Sequence, residues 1–139
     1  MEIRRRKRRR SFTLIEIMVV VVIIGMILGL VGPAVMGMLG KAKTKNARSQ
    51  TKLLKDTVNA YYLDCQTYPA RLADLLTNPG DDKWAGPYMT VKNIPKDPWG
   101  EDYLYDIPGQ ETPFDIYSYG ADKAQGGKSN DTDVSCWDE

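Results

Sequence analysis

Three aspartates near the carboxyl end of this chain are the side chains best suited to chemistry. Asp122, Asp131 and Asp133 flank a Gly126-Gly127 pair, whose turn could bring the three carboxylates together. Converging carboxylates repel unless a cation joins them, and oxygen ligands without His or thiolate select Ca²⁺ over zinc. The spacing is not that of an EF-hand, and a segment so rich in Gly, Asp, Ser and Asn is also typical of a disordered tail. The residues alone therefore leave a calcium loop and a disordered tail both open.

The 139-residue chain contains no histidine, which excludes whole classes of active site. Catalytic His dyads and triads, His-ligated zinc and imidazole proton shuttles are all ruled out. Ser, Cys and Asp remain as possible nucleophiles, but no His base accompanies them. A membrane-tethered enzyme or ligand-binding domain is therefore a weak alternative for this chain. We therefore expect no enzymatic activity.

The 18 acidic and 19 basic residues are sorted along the chain. A basic block, RRRKRRR, occupies residues 4–10, and residues 41–55 hold six further cations and no acid. Residues 56–139 hold 16 acids against six bases, so the folded part would present an acidic surface. We therefore expect no nucleic-acid partner.

An uncharged, largely apolar run over residues 17–40 follows the basic block. About 20 apolar residues span the hydrocarbon core of a bilayer, so the chain is predicted to be membrane-anchored or exported. The run is too long for a secretory signal peptide, and no A-x-A-like cleavage site follows it. Glu16 lies at its N-terminal edge. An acid costs roughly 2.5–3.5 kcal/mol at mid-membrane and usually has a partner there, although a helix dipole also favours an acid in a first turn.

The elements that must position these residues follow from periodicity. Beyond residue 40 the apolar positions alternate at spacings of four and three, which predicts that the helix leaves the membrane as an amphipathic helix over residues 41–67. A short helix over 71–77 and strands over 88–91, 103–105 and 114–119 are expected next. The predicted fold is α+β, with the long helix packed on a small antiparallel sheet. The positions of the helix stripe are Ala47, Thr51, Leu54, Val58, Tyr61 and Cys65.

Cys65 and Cys136 are the two cysteines of the chain. In an oxidising compartment a pair of cysteines predicts one disulfide. Closing a loop of about 70 residues would stabilise the fold by roughly 4 kcal/mol in the chain-entropy model. Two separate buried thiols are the alternative.

Two sets of motifs carry a family resemblance. The sequence SFTLIE at residues 11–16, between the basic block and the apolar run, resembles the N-terminus of type IV prepilins and type II secretion pseudopilins. The segments KDPWG at 96–100 and FDIYSYGAD at 114–122, with the Gly pair and the closing acidic residues, resemble the major pseudopilins of type II secretion systems. The resemblance covers nearly the whole chain and implies a type IV pilin-like fold with a C-terminal calcium loop.

The resemblance also implies how the N-terminus is processed. A prepilin peptidase would cut between Ser11 and Phe12 and N-methylate Phe12, although Ser11 stands where the family usually has Gly. The amino group of Phe12 on one subunit would then pair with Glu16 of an adjacent subunit. The implied organisation is a cleaved cytoplasmic leader (1–11), a transmembrane and assembly segment (12–40) and a periplasmic head (41–139).

By the same resemblance, the loop would hold Ca²⁺. Its side-chain ligands would be Asp122, Asp131 and Asp133. Main-chain carbonyls would complete the coordination, with Tyr119, Ser129 and Ser135 as the expected donors.

The function implied is that of a structural subunit. It would sit in the inner membrane as a single-pass protein and assemble as a helical homopolymer, a periplasmic pseudopilus that helps drive folded exoproteins across the outer membrane. Its partners would be further copies of itself, minor pseudopilins, the inner-membrane secretion platform, the assembly ATPase and the prepilin peptidase. The alternative is a type IV major pilin that builds a surface fibre.

Overall fold

A computed structural model describes residues 12–138, apart from the side chain of Asn130. The elements are helix α1 (Leu14–Cys65), a 3₁₀ helix (Leu72–Leu75), strands β1 (Leu104–Asp106) and β2 (Asp115–Ser118), a second 3₁₀ helix (Ser129–Asp131) and strand β3 (Val134–Ser135). The chain divides between Met38 and Leu39 into two compact units, and α1 contributes to both. Ser11, the predicted residue before the cleavage site, lies outside the described residues.

The N-terminal unit consists of the first half of α1. Its large apolar side chains are exposed along its whole length. Phe12, just before the helix, is 74% exposed, and Met38, the last residue of the unit, is 73% exposed. By length and composition this part of α1 could cross a membrane. An apolar helix surface of this size needs lipid or other protein to cover it.

The second half of α1 packs one face against the rest of the C-terminal unit. All six positions of the predicted stripe, Ala47, Thr51, Leu54, Val58, Tyr61 and Cys65, are buried. The helix ends at Cys65, two residues before the predicted limit, because Gln66 adopts a left-handed backbone conformation with φ 58°. The amphipathic periodicity therefore located the face correctly and the end approximately.

The sheet is antiparallel, in the order β1-β2-β3. Tyr105 lies opposite Ile116 across the first strand pair, and Ser118 lies opposite Val134 across the second. Strands β1 and β2 fall where two strands were predicted. Strand β3 was not predicted, because two residues in a polar segment carry no periodicity.

Two predicted elements differ from the structure. The predicted strand at 88–91 is not a strand: Pro87 precedes it, and the Tyr88 N–H donates to the Leu75 carbonyl at 2.8 Å instead of to a sheet partner. The predicted helix at 71–77 is the shorter 3₁₀ helix Leu72–Leu75. Both segments are too short for pattern alone to set their backbone conformation.

The core is formed by α1, the first 3₁₀ helix and the sheet. Phe114 and Ile116 from the sheet region, Leu54 and Val58 from α1 and Leu75 are essentially inaccessible to solvent. Burying side chains of this size stabilises a fold by about 1.5–3 kcal/mol each. Strand β2 thus ties the sheet to the helix stripe.

Candidate functional site

The N-terminus of α1 forms a capping box. The Glu16 N–H donates to the Thr13 hydroxyl oxygen at 3.3 Å, and the Thr13 N–H donates to the Glu16 carboxylate at 3.4 Å. Thr13 is the N-cap and Glu16 is position N3, so two of the unpaired N–H groups at the helix start are satisfied reciprocally. The acid of the apolar segment therefore has a structural partner within its own chain.

Both predicted assembly residues are accessible in a single chain. Phe12 immediately precedes the cap and is 74% exposed, and Glu16 is exposed as well. The cap occupies only one oxygen of the carboxylate. Glu16 can thus cap its own helix while its charge stays available to a neighbour.

The C-terminal loop holds each of the three predicted aspartates in a local hydrogen bond. The Asp122 carboxylate accepts the Ala124 N–H at 3.2 Å, and the Asp133 carboxylate accepts the Gly126 N–H at 2.9 Å. The Asp131 N–H donates to the Lys128 carbonyl at 3.2 Å. Within residues 12–138, no three acidic or thiol groups meet in an arrangement that could hold a metal ion.

The glycine pair does have the role in the turn that the sequence suggested. Gly126 and Gly127 both have positive φ, at 97° and 101°. A Cβ on Gly127 would lie 2.1 Å from the Asp131 carbonyl oxygen, which forbids any other residue there. The turn therefore brings the backbone of Asp131 and the side chain of Asp133 against the glycines.

Asp133 is the residue that best fits a cation. Its Oδ1 is buried and has no hydrogen-bond partner among the described residues. Burying an unpaired carboxylate oxygen is unfavourable, and Ca²⁺ accepts such oxygens as ligands. Asp133 also lines a recess of about 330 Å³ together with Asp106 and Asp115. The donor chemistry of the loop thus fits the predicted ion, although the three predicted carboxylates are not gathered around one point.

Of the three predicted carbonyl donors, Tyr119 and Ser135 line the same recess as Asp133, whereas Ser129 lines a different one. The Ser129 carbonyl accepts the Thr132 N–H at 3.5 Å, and the Ser135 carbonyl accepts the Asp138 N–H at 3.2 Å. Tyr119 packs its ring against Tyr117, with centroids 5.5 Å apart. Each carbonyl oxygen has a second lone pair, so these bonds do not prevent metal coordination.

Cys65 and Cys136 are both buried in the core and are free thiols in the structure. The Cys136 thiol donates to the Asp115 carboxylate at 3.6 Å, and burial, with a smaller contribution from Asp115, raises its pKa to about 11. Burial, followed by the neighbouring Cys65, raises the pKa of Tyr61 to about 12. The structure thus has the alternative arrangement of two buried thiols, and formation of the bridge stays a prediction.

Sequence reasoning missed the polar centre of the KDPWG segment. In this segment Trp99 is half-buried, and Asp97 is the buried residue, at 6% exposure. The Asp97 carboxylate accepts the Trp99 N–H at 3.0 Å, the Glu101 N–H at 2.8 Å and the Ser118 hydroxyl at 2.5 Å. An Asp before Pro in a turn is the signal that could have indicated it, because Asp side chains accept N–H groups two residues on. Asp97 therefore fastens the turn to strand β2.

Comparisons with known proteins agree with this architecture. Residues 34–137 match the family model described as type II secretion system (T2SS), protein G, and residues 6–32 match the model of the prokaryotic N-terminal methylation motif. The type II secretion system core protein G of Pseudomonas aeruginosa is 41% identical over 96% of this chain and 98% of its own length. The protein of the same description from Vibrio cholerae is 36% identical over 94% and 93%.

A solved structure shows the same fold. The crystal structure of the major pseudopilin from the type 2 secretion system of enterohaemorrhagic Escherichia coli superposes with a TM-score of 0.58 at 30% identity. It covers 73% of this chain and 92% of its own. The predicted fold class, a long N-terminal helix with a small antiparallel sheet, is thereby confirmed. This chain belongs to the type II secretion system protein G family.

Proposed function

We infer that this chain is a structural subunit of the type II secretion pseudopilus, the filament that helps drive folded exoproteins across the outer membrane. The observation that carries this function is the match of one chain to both the protein G and the N-terminal methylation models. The relatives and the pseudopilin structure support it, and they do not favour the alternative of a type IV pilin. The family is one of structural proteins, in keeping with a chain that has no histidine.

The exposed apolar half of α1 provides the physical basis for both anchoring and assembly. Before assembly, lipid would cover this surface, with the chain crossing the inner membrane once and its head in the periplasm. After assembly, the same surfaces of neighbouring copies would cover it. A head-to-tail contact that does not close into a ring generates a helical filament. The expected further partners are the minor pseudopilins, the secretion platform and its ATPase.

Processing would create the partner that Glu16 needs between subunits. Cleavage between Ser11 and Phe12 by a prepilin peptidase would leave an α-amino group on Phe12, N-methylated and one residue before the helix cap. This cation on one subunit would pair with the Glu16 carboxylate of the next and set their axial stagger. The exposure of the residues Phe12 and Glu16 supports the pairing.

The test separates the charge of Glu16 from its capping role. Glu16→Gln keeps an amide oxygen that can accept the Thr13 N–H, as Glu or Gln both do in capping boxes, but it removes the charge. Glu16→Ala removes both. We expect both variants to insert in the membrane, because the apolar run is intact, and both to lose pseudopilus assembly in a strain overproducing the filament.

Thr13→Ser is the matched control, since it keeps the hydroxyl that caps the helix and leaves the charge of Glu16 in place. Normal filament yield from Glu16→Gln would refute the charge pair and leave Glu16 as a helix cap only. Mass spectrometry of the membrane-extracted protein checks the processing, which predicts a chain beginning at N-methylated Phe12.

The calcium loop is the second part of the proposal. Asp122, Asp131 and Asp133 would hold Ca²⁺, with the carbonyls of the loop as further donors. The ion would neutralise the carboxylates and fix the loop that follows strand β2. The buried Oδ1 of Asp133, which has no hydrogen-bond partner in the part of the chain that the structure describes, supports this assignment.

A further inference from the structure

An ion pair between Lys123 and Glu101 joins the start of the C-terminal loop, residues 119–133, to the turn at residues 97–101. The Lys123 ammonium donates to a Glu101 carboxylate oxygen. Among the hydrogen bonds and ion pairs that the structure describes for residues 121–125, this one alone reaches outside the loop. The pair is therefore the polar connection between the start of the loop and the rest of the C-terminal unit.

The Glu101 side of this connection is fixed by the turn. The Glu101 N–H donates to the Asp97 carboxylate at 2.8 Å, and the Asp97 N–H donates to the Glu101 carbonyl at 2.8 Å. The buried Asp97 carboxylate also accepts the Ser118 hydroxyl of strand β2. The backbone of Glu101 is thus anchored to the sheet, although its side chain is 51% exposed.

The Lys123 side has a backbone conformation that needs support from its surroundings. Its φ is 58°, in the left-handed region that side chains other than Gly rarely adopt. The preceding residue, Asp122, closes the turn locally, because its carboxylate accepts the Ala124 N–H at 3.2 Å. A bond within the turn cannot fix the turn against the rest of the fold, whereas the Lys123 side chain does.

The carboxylates around Lys123 explain why Glu101 is its partner. Asp97, Glu101 and Asp102 line a recess of about 150 Å³ together with Lys123. Asp97 already accepts three hydrogen bonds, and Asp102 pairs with Lys96 at 3.6 Å. Glu101 is therefore the carboxylate that remains for Lys123, and without Lys123 its charge would face two other acids.

We propose that Lys123 is a positioning residue whose ammonium tethers the first turn of the C-terminal loop to the turn at residues 97–101. The start of the loop is then ordered by a cation of the chain itself, before any metal ion binds. Lys123 acts through its neighbour Asp122, whose position in the loop it fixes. The tether is independent of the calcium site proposed above.

The experiment measures amide hydrogen exchange of the full chain in detergent with EGTA, so that calcium does not contribute to the order of the loop. The test variant is K123Q, which removes the ammonium. The matched control is K128Q, because Lys128 is an exposed lysine of the same loop and forms no ion pair among the described residues. Exposed ion pairs have modest effects, so peptides within residues 119–126 should exchange about threefold faster in K123Q.

The control should exchange at nearly the rate of the unchanged chain in the same peptides. The charge-swapped variant E101K/K123E should restore slow exchange, since it forms the same pair with the charges reversed. Equal acceleration in K123Q and K128Q, or exchange in E101K/K123E as fast as in K123Q, would overturn the tether. Unprotected exchange of the loop in the unchanged chain would overturn it as well.

Peptides of α1 within residues 50–65 show whether the effect is confined to the loop. Their exchange should be the same in all four proteins, because the tether fixes the loop and not the helix. If K123Q accelerated these peptides as much as the loop, the pair would be a general support of the fold, and the positioning role of Lys123 would be wrong.

Discussion

Replacing Asp97 by Ala is expected to be among the most destabilising changes in the C-terminal unit. The Asp97 carboxylate is buried and accepts three hydrogen bonds, from the N–H groups of Trp99 and Glu101 and from the Ser118 hydroxyl. Ala would leave all three donors without this acceptor, and the Ser118 hydroxyl is buried. The turn would also lose its connection to strand β2.

The magnitude follows from these contacts. Hydrogen bonds to a charged group contribute about 1.5–3 kcal/mol each, but removing a buried carboxylate also recovers several kcal/mol of desolvation. We therefore expect Asp97→Ala to lower the free energy of unfolding by about 3–5 kcal/mol. Asp97→Asn keeps the oxygen that accepts both backbone N–H groups and lets the Ser118 hydroxyl accept instead of donate. Its expected loss is only about 1–2 kcal/mol, the scale of one hydrogen bond.

The assay is urea unfolding of the full chain in detergent, followed by tryptophan fluorescence. Trp84, Trp99 and Trp137 all lie in the C-terminal unit, so the signal reports on that unit. The control is Asp102→Ala, because Asp102 is an exposed acid whose pair with Lys96 spans 3.6 Å and should contribute less than about 1 kcal/mol. A loss below about 1 kcal/mol for Asp97→Ala, or equal losses for the two variants, would refute this account of the turn.

Three further predictions concern alkaline pH, the thiols and calcium. Burial raises the pKa of Tyr61 and of Tyr88 to about 12, so the unfolded chain loses these protons at lower pH than the folded chain does. The free energy of unfolding should therefore fall as pH rises from about 10 through 12, which urea unfolding across this range would show. In the reduced folded chain, alkylation of Cys136 should be slow at pH 8 and accelerate towards pH 11, because burial raises the pKa of its thiol. If Cys136 is bridged to Cys65, exported protein that is unfolded without reductant should show no free thiol on titration. Two free thiols would end the disulfide hypothesis. Calcium at a hundredfold excess over its Kd should stabilise the chain by about 2.7 kcal/mol, and Asp133→Asn should erase this effect. Identical melting curves in EGTA, Ca²⁺ and Mg²⁺ would show that the loop binds no calcium.

The helix could be predicted well because its signals are local and repeated. An uncharged run sets the length of the apolar part, and a stripe at spacings of three and four sets the buried face beyond it. All six stripe positions are buried in the structure, since each turn of a helix repeats the same constraint. The C-terminal end of the helix was predicted less accurately, because it depends on a single residue, Gln66, which adopts a left-handed backbone conformation.

The candidate site was harder to predict, because its contacts join distant parts of the chain. The Ser118 hydroxyl reaches Asp97 across 21 residues, and the Ser135 hydroxyl reaches Asp115 across 20 residues. Neither pair has a spacing that a pattern could recognise. The family resemblance named the aspartates of the loop, but it did not show that the carboxylates of Asp122 and Asp133 accept N–H groups of the loop backbone.

The sequence by itself determined the membrane-length helix, its amphipathic continuation, the absence of histidine chemistry and the family. These properties depend on residue type and on near-neighbour spacing, which folding does not alter. Only the tertiary structure decided that Asp97 rather than Trp99 is the buried residue of its turn, that residues 134–135 form a third strand, and that the Ser135 hydroxyl reaches Asp115. Those outcomes depend on which distant segments pack together, because burial and electrostatic balance are set by the whole fold and not by any one segment.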